Sequence, residues 1–215
     1  MKLTIISDIH GLLPEPADMP NADVLIIAGD SIPLWCDFNE VKQYQWLKSD
    51  FTDWLGSLEY PHIVGIAGNH DLAMQESDIG HRLPWTYLQD SEVSIMGLKF
   101  YGSPMSLPFG PFAFMAPEIE LDMGYWSAIP TDVNVLIIHG PMYGRLDKTY
   151  RGPNAGSVTL RDRIDSGQYP DLKLFVNGHI HEARGILEEN GVIYANAAHM
   201  DIIGDSHHGA SVIDL

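Results

Sequence analysis

Cysteine is nearly missing from this 215-residue chain: Cys36 stands alone, so no internal disulfide can form. That suits a reducing compartment and makes the cytoplasm the expected location. Basic residues are scarce as well, 12 Lys and Arg against 29 Asp and Glu, for a formal net charge of −17. Proteins that bind nucleic acid regardless of sequence draw their affinity from cations on phosphates, so long nucleic acid is not an expected partner. A small phosphate ester is not excluded by this balance, because bound divalent cations can be the largest charges in a site. No stretch approaches the roughly 20 apolar residues that a membrane helix needs. Met1-Lys2 leads directly into a short apolar run, so no secretory signal is expected. Repeats, low-complexity tracts and breaks in composition are also lacking, so residues 1–215 are expected to form a single domain.

What is present is a recurring pattern. Leu3-Thr4-Ile5-Ile6-Ser7 runs into Asp8-Ile9-His10, and Val24-Leu25-Ile26-Ile27-Ala28 into Gly29-Asp30. Ile63-Val64-Gly65-Ile66-Ala67 runs into Gly68-Asn69-His70-Asp71, and Val135-Leu136-Ile137-Ile138 into His139-Gly140. Leu172-Lys173-Leu174-Phe175-Val176-Asn177 runs into Gly178-His179-Ile180-His181. Short runs rich in Ile and Val read as strands buried on both faces, and ligands of open α/β sheets gather beyond the carboxyl ends of such strands.

The remaining segments fill in a mixed architecture. Strands are expected at 2–7, 24–28, 62–67, 133–138 and 172–177, a hairpin at 92–96 and 98–102 around Gly97, and short strands at 184–189, 192–196 and 210–214. A helix capped by Asn39 or Asp37 is expected over 40–58, with Val41, Tyr44, Leu47, Phe51, Trp54, Leu55 and Leu58 on its apolar face. Further helices are expected at 72–80, 118–127 and 157–165, and loops at 11–22, 103–117 and 140–156. The fold class is α/β with α+β character: two packed sheets of mixed strands with helices outside, a four-layer α/β/β/α sandwich.

The clusters are chemically coherent. Asp8 and His10, one residue apart, would point the same way in a strand extension and chelate one cation. Asp30 after Gly29 would turn sharply and present to solvent a carboxylate able to bridge two cations. Asn69 offers a carbonyl oxygen, His139 a ring nitrogen, and His179 and His181 two more. Imidazole with carboxylate suits Mn, Fe, Zn, Co or Ni better than Ca or Mg alone, and the lack of thiolate argues against a structural zinc site. Two cations about 3.5–4 Å apart can clamp a phosphoryl displacement and activate a bridging hydroxide as nucleophile. His70 beside Asn69 could then protonate the leaving alcohol, with Asp71 holding its ring tautomer. Taken singly, each cluster is explicable as turn chemistry or a strand-end histidine; their coincidence at five run ends is the signal.

These motifs resemble the signature of the calcineurin-like metallophosphoesterases. Tyr101-Gly102-Ser103-Pro104, Phe109-Gly110, Ala113-Phe114, Trp126, Ile129-Pro130 and His139-Gly140-Pro141 through Asp147 extend the likeness to the MPPED-type phosphodiesterases, over residues 1–200 or so. The resemblance implies a first divalent metal, manganese by preference with Fe, Zn, Co, Ni or Mg as options, on Asp8, His10, Asp30 and His181. It implies a second on Asp30, Asn69, His139 and His179, with Asn69 and His70 on the substrate phosphate. The chain keeps both His179 and His181, so an active enzyme is expected. Pro141-Met142 stands where the branch often has two prolines, which leaves the metals alone and bears on the substrate loop. The implied reaction is hydrolysis of a phosphodiester, with a small or cyclic nucleotide as one candidate and dimers known among relatives. The rivals are a metal- and nucleotide-binding scaffold or sensor with little turnover, and a nuclease of the same fold.

Several residues stand outside this set. Phe109, Phe112 and Phe114 are candidates to line a pocket, Arg145 and Arg151 to meet a substrate phosphate, and His199 to face the site. His62, His81, His207, His208 and Cys36 read as structural or surface residues.

Overall fold

The computed structural model describes residues 1–201, 204 and 207–215. Strands β1 (Lys2–Ile6), β2 (Val24–Ala28), β3 (His62–Ile66), β4 (Thr86–Tyr87) and, from the end of the chain, β11 (Ser211–Asp214) form one sheet in the order β11-β1-β2-β3-β4. The second sheet has the order β5-β6-β7-β8-β10-β9. Its strands are β5 (Ser91–Ile95), β6 (Leu98–Ser103), β7 (Val135–Ile138), β8 (Leu174–Asn177), β9 (Gly185–Glu189) and β10 (Val192–Asn196). The inner strands of each sheet pair in parallel, while β11, β5 and β9 pair antiparallel at the edges. Two-residue turns with left-handed backbone, Met96-Gly97 and Asn190-Gly191, close the two hairpins.

Alternation along the strands explains the layers. Leu3, Ile5, Val24, Ile26, Val64 and Ile66 face Phe100, Val135, Ile137, Leu174 and Val176 across the space between the sheets. Ile6, Leu25 and Ile27, and likewise Leu136, Ile138 and Phe175, face outward into helices. A run that is apolar at every position is what burial on both faces demands. The result is the expected four-layer sandwich of two mixed sheets flanked by helices.

The outer layers depart from expectation in detail. The first helix, α1, runs over Glu40–Trp46, widens to a π turn at Leu47–Phe51 and continues over Thr52–Ser57. Asn39, not Asp37, caps it, its side-chain oxygen accepting from the Lys42 N–H. The buried face is Gln43, Trp46, Leu47, Phe51, Trp54 and Leu55, whereas Val41 is exposed. The extra residue of the π turn rotates the face, so a strict helical period cannot fit both halves. α2 (Leu72–Glu76) stops short of 80 and is followed by a 3₁₀ turn at Ile79–Arg82. α3 begins at Glu118–Glu120, passes through a π turn over Leu121–Tyr125 and ends as 3₁₀ at Trp126–Ala128. α4 (Val158–Asp165) is capped by Ser157, whose hydroxyl accepts from the Leu160 N–H. No helix among the described residues is long and apolar enough to cross a membrane.

Candidate metal centre

The chain beyond β1 runs beside the chain beyond β2: the Asp8 N–H donates to Gly29 O and the His10 N–H to Asp30 O, both at 3.0 Å. The segment after β10 stitches the second sheet onto this edge. The Ser7 N–H donates to Ala197 O, and the N–H groups of His199 and Met200 donate to Ser7 O and Asp8 O. These links bring the ends of β1, β2, β3, β7 and β8 to one place.

Asp8 and His10 do not lie in a strand extension. Strand β1 ends at Ile6, and Asp8, His10, Asp30 and His179 have φ of 51°, 45°, 52° and 69°, all left-handed. Successive tight turns, not pleat geometry, make their side chains converge. Nor does Asp30 present its carboxylate to solvent: the residue is 1% exposed and forms the floor of the site. Gly178 permits the closest approach, since a Cβ there would fall 2.0 Å from Asp8 Oδ2. The His179 N–H that follows donates to both Asp8 oxygens at 3.0 Å.

Two ligand groups result. Asp8, His10 and His181 bring one donor atom each within 4.8 Å of one another, as do Asp8, Asp30 and His139. Asn69 joins the second, its Oδ1 lying 3.0 Å from His139 Nε2 and 2.7 Å from His179 Nδ1. The two groups have Asp8 in common, and Asp30 Oδ2 of the second also faces the first, 3.7 Å from His10 Nε2 and 3.4 Å from His139 Nε2.

The donor set fits cations. His139 Nδ1 lies 2.9 Å from Ala28 O, which can only accept, so Nδ1 carries the hydrogen and Nε2 turns its other face to Asn69 Oδ1 and Asp30. His181 repeats the arrangement, with Nδ1 at 3.2 Å from Asp201 O and Nε2 at 3.2 Å from Asp8 Oδ1. The Asn69 amide points its oxygen at the rings and leaves Nδ2 buried without a partner among the described residues. Acceptors that face acceptors need either a hydrogen or a metal ion between them.

Without metals, protons take that role. Burial opposes charge on His139, but Asp30 outweighs it and lifts the ring to about 9. Burial likewise opposes charge on His181, and its bond to Asp8 lifts it to about 9. Burial lowers His10 to about 4 and, with the charge of His139, His179 to about 3. Burial works to raise both carboxylates, yet His181 holds Asp8 at about 2 and His139 holds Asp30 well below the usual range.

His70 is half-buried at the wall, its ring 4.9 Å from that of His10 and 4.9 Å from Phe112. Its N–H donates to Asp30 Oδ1 at 2.7 Å. The expected partnership with Asp71 is corrected. That carboxylate is wholly buried and accepts from the N–H groups of Gly68, Ile32 and Ser31, so it ties the β2 and β3 loops together and does not touch the His70 ring. Burial, then the charge of Asp30, pushes its carboxyl up to about 7.

Gln43, outside the apolar face expected for α1, braces His70 from behind. Its amide donates to His70 O and Asp37 O and accepts from the Ala73 N–H. A polar side chain on an otherwise apolar helix face was the available signal. The cavity above the centre, about 340 Å³, is walled by His10, Asp30, Asn69, His70, His179 and His181 together with Phe109, Tyr150, Glu182 and Met200.

The outlying candidates separate cleanly. Phe109 and Phe112 stack at 4.8 Å, Phe109 lying 5.1 Å from His179, while Phe114 is buried in the core. Arg145 is tied to Glu189 and Asp165 and lies over Tyr194. Arg151 donates to the Tyr150 hydroxyl, and neither arginine lines the cavity. His199 turns away from the site into a separate cavity beside His207, its ring 5.0 Å from that partner. His62 and His81 are exposed, and Cys36 is buried.

Comparison with known proteins agrees with this geometry. The family model of the calcineurin-like phosphoesterases matches residues 1–183. The chain belongs to that family, a class of metal-dependent phosphoester hydrolases. Among individual relatives, the Metallophosphoesterase domain-containing protein 1 of Homo sapiens is 32% identical over all of this chain and 71% of its own length, and its Mus musculus counterpart gives the same values. A solved structure at 15% identity shares the fold, with a TM-score of 0.69 over 99% of this chain and 98% of that one.

Proposed function

We propose that the protein is a two-metal phosphodiesterase acting on a small diester as a single domain. Asp8, His10, Asp30 and His181 would hold one divalent cation, and Asp30, Asn69, His139 and His179 the other, with manganese the first choice. The observation that carries the reading is the convergence of ligand atoms on two adjoining groups that have Asp8 in common, with Asp30 Oδ2 facing both His10 and His139. Bound there, the cations would supply Lewis-acid charge for phosphoryl oxygens and acidify water.

The chain's own groups do the rest. Asn69 lines the cavity, and its unpartnered Nδ2 would serve as a donor to a phosphoryl oxygen bound there. His70 stands where a leaving alcohol oxygen can take a proton, its backbone fixed by Asp30 on one side and Gln43 on the other. Phe112 packs beside the His70 ring and Phe109 beside that of His179, forming an aromatic wall to the site. Hydrolysis of bis(p-nitrophenyl) phosphate by the manganese-loaded protein tests the reading. Absence of metal-dependent release of p-nitrophenolate by folded protein would overturn it.

A further inference from the structure

A second, larger cavity opens off the metal centre. It measures about 650 Å³ and shares Phe109 and His179 with the first. Its far walls come from the loops 103–117 and 140–156 and from the start of α4, with Leu107, Tyr143, Asn154, Ala155 and Val158 prominent. This is the size of pocket that buries a compact organic group, several times what a methyl ester would fill.

Three features specify the occupant. First, neither cavity is lined by a lysine or arginine among the described residues. The one charged wall of the larger cavity, Glu118, is already engaged, its Oε1 accepting from Ser157 Oγ, Thr159 Oγ1 and the Thr159 N–H. A second phosphate or other anion entering there would be desolvated beside a carboxylate with no cation to meet it. Second, Phe109, Leu107, Ala155 and Val158 offer apolar surface, and the half-buried Asn154 carboxamide meets no hydrogen-bond partner among the described residues, so it can meet the edge of a bound group. Third, position separates the two ester arms. His70 lines the metal cavity but not the larger one, whereas His179 lines both. In an in-line displacement the departing oxygen lies opposite the attacking one, on the side where its proton donor stands. The arm that lies over His179 is then the one that stays on phosphorus.

We infer that the larger cavity receives the retained ester group of the substrate, and that this group is uncharged and apolar, of aryl size or larger. The inference rests on the proposed diesterase reading and on the role given to His70 there. It makes the retained arm, not the leaving alcohol, the main determinant of specificity. It also makes the monoester product an occupant of the same cavity.

The test uses three diesters with one leaving group, p-nitrophenolate, and a methyl, phenyl or 1-naphthyl group retained. With manganese-loaded protein, kcat/KM for the phenyl ester should exceed that for the methyl ester by roughly tenfold or more, the discrimination an apolar pocket gives. In Ala155→Trp, and separately in Val158→Trp, the phenyl-to-methyl ratio should fall toward one, with melting temperatures confirming that each variant is folded. Phenyl phosphate should inhibit competitively, and p-nitrophenol should not. Equal kcat/KM for the three esters, or a ratio unmoved in both folded variants, would overturn the assignment while leaving the phosphodiesterase reading intact. If no ester is turned over, that reading fails, and calorimetric binding of diphenyl against dimethyl phosphate still decides the pocket. Tighter binding of the diphenyl ester, lost in Ala155→Trp, supports it, and equal binding rejects it.

Discussion

His139 Nε2 faces Asn69 Oδ1 at 3.0 Å while its Nδ1 is committed to Ala28 O. The pair is held in the arrangement that a cation between them would require, and Asp30 completes it from the side. The same carboxylate reaches toward His10, so it serves both ligand groups. Asp30→Asn should therefore lower occupancy of both metals, where His181→Ala should affect one. Metal content by plasma emission after gel filtration distinguishes these outcomes. Full occupancy in Asp30→Asn would contradict the shared role.

The protons that stand in for metals give a pH signature. His139 and His181 are raised from 6.5 to about 9 in the folded chain. Between those values the folded protein holds protons that the unfolded chain has lost, so metal-free stability falls as pH rises through the window. Metal binding must displace the same protons, so apparent affinity rises over the same range. Thermal melts in EDTA from pH 6.5 to 9.5, paired with manganese titrations, read both slopes. A metal-free protein equally stable across the window would count against the assignment.

His70→Ala should keep its metals and lose turnover. The loss should depend on the alcohol, with an alkyl leaving group slowed by about 10²–10⁴-fold and p-nitrophenolate, which departs without a proton, much less. Comparing kcat for the two ester types in wild type and variant measures the difference. Equal loss for both would assign His70 to binding instead of proton transfer.

Asp71→Ala leaves the buried N–H groups of Gly68, Ile32 and Ser31 without their acceptor. A destabilisation of about 3 kcal/mol or more is expected from unpaired buried donors. Denaturant unfolding gives the value. A fully stable variant with an altered pH–rate profile would restore Asp71 to a partnership with His70.

The apolar runs were legible because burial on both faces leaves no polar position, and each ligand cluster was legible because it ends such a run. Less visible was everything set by tertiary contact. Thr86–Tyr87 pairs only through backbone with Val64 and Gly65, and nothing in two residues announces a strand. The π turn at Leu47–Phe51 rotates the buried face of α1, so regular helical spacing points Val41 inward and leaves Gln43 off the face, the reverse of what packing does. The sequence neighbours Asp71 and His70 suggested a bonded pair, but the carboxylate turns to loops from two strands. His199 could not be oriented from its place at a strand end.

The left-handed backbone at Asp8, His10, Asp30 and His179 has a consequence for how such a sequence can change. Side chains beyond glycine are held there at a conformational disadvantage of up to about 1–2 kcal/mol each, less for aspartate than for bulkier residues. Glycine at any of the four would relax its turn and remove a ligand or its support, so at these positions local backbone preference and the chemistry of the site pull in opposite directions.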